Sequence, residues 1–227
     1  MTTIAENLKQ VRDRIATACQ ATGRRPQEIS LLAVSKTFGP DAVRAAYAAG
    51  QRAFGENYVQ EALGKIAALA DLPDIAWHCI GPLQSNKTRP VAEHCGWVHT
   101  IDRLKIAERL AAQRPAGLGP LNVCIQVNVD EGANKSGVTV QEAPALARAV
   151  AALPGLRLRG IMSIPEPAAD FETARAAHAK ARALFDALNA DGLALDTLSA
   201  GMSADLEAAI AAGSTLVRIG SAIFGKR

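Results

Sequence analysis

Lys36 closes the run SLLAVSKTF at 30–38, where Leu31, Leu32, Ala33 and Val34 lead to a single charge. Four apolar residues without alternation read as a parallel strand covered on both faces. An unpaired ammonium buried at the end of such a strand is costly, and the group tends to give up its proton instead. An amine in that state is a nucleophile that forms Schiff bases with carbonyl compounds. A lysine at a strand end is also commonly a solvated boundary residue, and this stretch alone does not separate the two readings.

Two further stretches could take an anion. Ser199-Ala200-Gly201-Met202-Ser203 and Gly220-Ser221-Ala222 are small and polar. Glycine lets backbone N–H groups approach an anion, and serine adds hydroxyl donors. Gly-Ser turns also simply connect elements. Arg218 shares a strand face with Leu216 and Gly220 by the two-residue period. Pointing inward, its guanidinium needs an acceptor; pointing outward, it is a surface ion-pair partner. Other polar residues fall near strand ends: Asn57 after Glu56, His78, His99 to Asp102, Asn128, and Lys135-Ser136-Gly137. His78 and His99 read more readily as hydrogen-bonded interior or rim histidines than as ligands. No third histidine or carboxylate sets a coordination geometry, and no metal is expected.

These residues need a scaffold that brings strand ends together. Including the run that ends at Lys36, strand-like segments recur eight times, the others at 51–55, 76–81, 97–101, 121–129, 158–164, 196–199 and 215–219. Helical spacing occupies 4–22, 41–47, 58–69, 85–94, 103–113, 140–153, 171–189 and 205–212. Strands alternating with helices predict a (β/α)8 TIM barrel preceded by an extra N-terminal helix. The functional face of such a barrel is the carboxyl end of its strands, with phosphate favouring the last two loops. No G-x-G-x-x-G follows the first strand, which weakens an open dinucleotide-binding sheet. No linker divides the chain and little follows 219, so one domain over 1–227 is expected.

Composition bounds the partners. Apolar residues make up 49% and charged residues 21%, which fits a globular α/β protein. The net charge of +3 is interspersed rather than clustered, so nucleic acid is not indicated. No apolar run is long enough to span a membrane, and the charged start lacks a signal-peptide core, so a cytoplasmic protein is expected. Cys19, Cys79, Cys95 and Cys124 form no C-x-x-C pair and read as buried, reduced thiols. No heptad pattern demands an oligomer, and a monomer or weak dimer is expected.

LLAVSKTF, FGENYVQEA, WHCIGPLQSNK, HTIDRL, QVNVDEGANKSGV, LRGIMSIP, LSAGMSADLEAAI and GSTLVRIGSAIFG, in this order, resemble the pyridoxal phosphate homeostasis protein family, whose barrel is similar to the N-terminal domain of alanine racemase. The resemblance runs nearly end to end. It implies pyridoxal 5'-phosphate held as an internal aldimine on Lys36, and a role in vitamin B6 balance with apo-enzymes as possible recipients. It further implies that Arg218 faces the pyridine nitrogen, that Ser199, Gly220 and Ser221 hold the phosphate with backbone help near Met202, and that Asn57 and His78 line the pocket. A guanidinium stays protonated, so it would donate to the ring nitrogen without protonating it, muting electron-sink chemistry. Ala200 stands where the family pattern suggests a larger apolar residue, and Ser221 where threonine is more usual. A racemase or lyase on the same lysine is the alternative, and a cofactor-free aldolase barrel acting on sugar phosphates a third reading.

Overall fold

The structure is a computed structural model that describes residues 2–130 and 136–225. Lys135 lies outside the described residues. The chain opens with α1 (Ile4–Ala21), started by a capping box in which Thr3 and Glu6 each accept the other's backbone N–H. Its stripe of Leu8, Val11, Ile15, Ala18 and Cys19 is buried.

Strand and helix then alternate: β1 (Ser30–Val34), α2 (Pro40–Ala48), β2 (Ala53–Glu56), α3 (Val59–Ala68), β3 (Ala76–Cys79), α4 (Thr88–His94), β4 (Trp97–Ile101), α5 (Leu104–Gln113) and β5 (Leu121–Asn128). A two-residue strand, β6 (Val138–Thr139), precedes α6 (Ala143–Ala151), followed by β7 (Leu156–Ser163), α7 (Phe171–Ala190), β8 (Thr197–Ser199), α8 (Leu206–Ala211), β9 (Leu216–Ile219) and the short α9 (Ser221–Phe224). All pairings are parallel. The order β4-β3-β2-β1-β9-β8-β7-β5 closes on itself through β4 and β5, giving the expected (β/α)8 barrel with β6 added beside β5.

Two boundaries differ from the sequence reading in ways that matter. β1 ends at Val34, so Lys36 sits in the turn beyond the strand rather than within it. The polar stretch after β5 contributes β6, too short to carry a periodic signal.

Each strand divides its residues between two cores. Ala33, Phe54, Trp77, Val98 and Val217 pack outward with Leu8, Val43 and Ile106 of the helices. Leu32, Gly55, His78 and Arg218 form the alternate set: Leu32 pairs with Arg218 and Gly55 with His78, and a methyl on Gly55 would meet Leu32 and Ile80. A second apolar cluster beneath α6 and α7 contains Ile125, Ile161, Phe185 and Leu198. Ala200 belongs to it, fully buried, with its carbonyl accepting from Ser214 Oγ at 2.7 Å. The small side chain is thus part of a closed core. Among the described residues no helix is long and apolar enough to cross a membrane.

At Gly160 the backbone of β7 lies tight against β8. A Cβ on Gly160 would lie 1.6 Å from the Thr197 carbonyl oxygen, so only glycine permits that approach. Gly64, exposed inside α3, has nothing within 4 Å of such an atom. The two sites therefore respond in opposite directions. Gly160→Ala lowers the unfolding midpoint in denaturant sharply, whereas Gly64→Ala raises stability by about 0.5–1 kcal/mol. Equal effects would contradict this packing.

Candidate functional site

Lys36, Arg218 and the two Gly-Ser turns meet at one cavity of about 540 Å³ at the carboxyl mouth of the barrel. Val34 and Lys36 enter from β1 and its turn, Asn57 from beyond β2, Ile80 from beyond β3, Arg218 and Gly220 from β9, and Met202, Ser203 and Ala204 from the loop after β8. Lys36 is half-buried, and its Nζ has no hydrogen-bond or ion-pair partner among the described residues. The free amine and a buried guanidinium therefore open onto the same space.

Arg218 is 5% exposed. Its Nη1 donates to Ser199 Oγ at 2.8 Å and its Nη2 to the Ser163 carbonyl at 2.9 Å. Burial lowers it to about 10, with nearby Asp205 opposing the shift, so the guanidinium keeps its charge at neutral pH. Beyond Ser199, His99 Nδ1 lies 2.9 Å from the hydroxyl, and His99 Nε2 lies 2.9 Å from His78 Nδ1. An arginine can only donate, so Ser199 Oγ accepts from Arg218. The hydroxyl could also accept from His99, but its buried proton would then have no acceptor among the described residues, so it is donated to His99 Nδ1. His99 donates onward from Nε2 to His78 Nδ1, which leaves His78 protonated at Nε2. Tautomers are thus assigned from one fixed donor. Burial brings His78 down to about 3. Burial, then His78 and Arg218, hold His99 well below its ordinary range.

This chain of bonds corrects two expectations. His78 does not line the Lys36 cavity; it stacks on Trp97 and borders a separate cavity of about 360 Å³ with Arg159 and Asp196. Ser199 is fully buried with its hydroxyl committed to Arg218 and His99, so it holds the arginine rather than presenting a donor to the cavity. Both residues lie one layer deeper than the mouth. Lys36, Asn57, Met202, Arg218, Gly220 and Ser221 line one cavity.

The loop after β8 is shaped for close approach. Gly201 has φ +95°, and a Cβ there would meet the Ala209 methyl at 2.5 Å. Met202 N–H donates to Asp205 Oδ1 at 2.6 Å, while His178 Nε2 on α7 donates to Asp205 Oδ2 at 2.8 Å. Burial acts to raise Asp205, but these hydrogen bonds outweigh it and hold the carboxyl below its usual range. The backbone N–H groups of Ser203, Ala204 and Ser221 have no acceptor among the described residues. Free N–H groups from two loops beside Ser203 and Ser221 hydroxyls are the donor set that a phosphate needs. The sequence reading named Ser203 only as the last residue of its turn and did not include Ala204, which follows it.

Residues 4–227 match the family described as alanine racemase, N-terminal domain. The chain is 63% identical over 227 residues to the pyridoxal phosphate homeostasis protein of Pseudomonas aeruginosa, covering 100% of this chain and 97% of that one. It belongs to the pyridoxal phosphate homeostasis protein family. The Escherichia coli K12 member is 56% identical over 233 residues, covering 100% of this chain and 98% of the other. Among solved structures, PipY of Synechococcus elongatus with PLP bound superposes with a TM-score of 0.85 at 37% identity, covering 98% of this chain and 100% of PipY.

The buried histidines make stability acid-sensitive. Their folded pKa values lie below the unfolded value, so below about 6.5 the unfolded chain binds more protons and stability falls toward pH 3. The slope reaches about 1.4 kcal/mol per pH unit for each histidine. His78→Phe keeps a ring against Trp97 and removes one titrating group. Denaturation midpoints followed from neutral to acid pH will decline less steeply in that variant; an unchanged slope would place a charged His78 in the folded protein.

Proposed function

We propose that the cavity at the carboxyl mouth takes pyridoxal 5'-phosphate, that the Lys36 amine holds its aldehyde reversibly, and that the protein binds and releases the cofactor in vitamin B6 homeostasis. The observation that carries this reading is the cavity shared by Lys36, Arg218 and the two loops around Ser203 and Ser221. The cofactor, when bound, supplies a reactive aldehyde on an electron-accepting pyridine ring. Lys36 provides the nucleophile, unencumbered by any described partner. Arg218, anchored by Ser163 and Ser199, is the donor that would face the ring nitrogen and keep its own proton. The N–H groups of Ser203, Ala204 and Ser221 would hold the phosphate, with Gly220 admitting it closely and Met202 fixed by Asp205. Asn57 would form the opposite wall.

Holding the cofactor without further turnover is supported by the tyrosines. Racemases of this chemistry use an acid/base on each substrate face. Tyr47, whose hydroxyl is bonded to Asp74, and Tyr58, 57% exposed, are the chain's two tyrosines, and neither lines the cavity. We place this one-domain protein in the cytoplasm as a monomer or weak dimer that buffers the cofactor for apo-enzymes.

Purified protein mixed with pyridoxal phosphate will absorb in the visible, and borohydride will fix the cofactor to the peptide containing Lys36. Lys36→Ala will lose both signals. An adduct mapped to Lys135, a colourless protein, or racemised alanine or serine after long incubation would each overturn part of this assignment.

A further inference from the structure

Lys36 lies two residues past the end of β1, and the turn that carries it is strained. Thr37 has φ +66°, the one non-glycine residue at positive φ among the described residues. A β-branched side chain disfavours that conformation, which persists only where surrounding groups impose it. Three side chains from α3 and β2 bond to this turn. Glu61 Oε2 accepts from Thr37 N–H at 2.9 Å. Glu56 Oε1 accepts from Ser35 Oγ at 2.5 Å. Lys65 Nζ donates to the Ser35 carbonyl and to Glu56 Oε1, each at 2.7 Å.

Glu56 and Lys65 are almost wholly inside the protein, at 2% and 5% exposure. A buried ion pair is a poor way to gain stability, because apolar side chains of similar volume commonly fold as well or better. Apolar side chains could not take the carbonyl and hydroxyl of Ser35. Neither Glu56 nor Lys65 lines the Lys36 cavity. Burial also raises the pKa of Glu56, against the hydrogen bonds from Lys65 and Ser35.

We propose that Glu56 and Lys65, with Glu61, are positioning residues that clamp the Ser35–Thr37 turn from behind and thereby aim the Lys36 amine into the cavity. The proposal rests on Lys36 being the reactive amine, and its test separates the two claims. The double variant Glu56→Met/Lys65→Met fills the same space without the clamp. Ser35→Ala and Glu61→Ala each remove one strut with little change in volume or at a partly exposed site. Each protein is examined three ways: apo thermal midpoint, acetylation of Lys36 by limiting acetic anhydride relative to exposed Lys105 by peptide mass spectrometry, and rate of pyridoxal phosphate capture by stopped-flow absorbance.

The double variant is expected to keep its thermal midpoint within a few degrees while capturing pyridoxal phosphate about tenfold more slowly, as misplacement of a reacting group predicts. Its Lys36 acetylation ratio will shift as well. The single variants lose roughly threefold in capture, and Glu56→Gln, which keeps an acceptor at Oε1, captures pyridoxal phosphate at near the wild-type rate although its thermal midpoint falls. Wild-type acetylation and capture in a folded double variant would overturn the proposal. If that variant fails to fold, wild-type values in both Ser35→Ala and Glu61→Ala would overturn it equally. If the wild-type protein captures no pyridoxal phosphate, the reading of the site falls, and the acetylation contrast still decides whether the clamp aims Lys36.

Discussion

A guanidinium inside a barrel cannot shed its charge at neutral pH, so the interior has to be built around its acceptors. Arg218 on β9 obliges β8 to offer the Ser199 hydroxyl and β7 the Ser163 carbonyl. Ser199 in turn sets the tautomer of His99 on β4, and His99 that of His78 on β3. Five of the eight barrel strands are thus tied by one polar chain whose direction follows from a single obligate donor. Slipping any of those strands by one residue would turn the partner outward and leave a buried charge short of an acceptor.

The fold was legible because barrel strands announce themselves twice, as apolar runs and through the helices between them. Lys36, Arg218 and the loops near Met202 and Gly220 were legible for a related reason: strand ends and small turns are where a barrel does chemistry. Depth was not. His78 and Ile80 share a face, but a strand advances about 3.3 Å per residue, so His78 lies about a layer below the mouth where Ile80 lines the cavity. Arg218, also on an inward face, reaches the cavity through its longer side chain. Ser199, with a short side chain, cannot. Sequence periodicity assigns a face and says nothing about reach.

The pair behind Lys36 was not read from the sequence. Ala62 and Lys65 on α3 and Leu69 at its C-terminal cap are all buried at spacings of three and four, which puts a lysine on an apolar stripe. That pattern signals a buried cation in want of an acceptor. Its partner could not be read, because Glu56 arrives from a different element and the contact depends on how α3 lies against β2. The strain at Thr37 was equally hidden, since threonine carries no composition signal for a left-handed turn.

Leu32 of the first strand pairs directly with Arg218 of the last. The amine and the guanidinium that share the cavity thus come from neighbouring strands at opposite ends of the chain. During synthesis, Lys36 leaves the ribosome long before Arg218 exists, and its turn waits without the wall of the site. Pairing of the first and last strands is what brings the two walls of the cavity together. A ligand spanning both residues would consequently recognise finished protein and reject nascent fragments, making occupancy a report on the integrity of the whole chain.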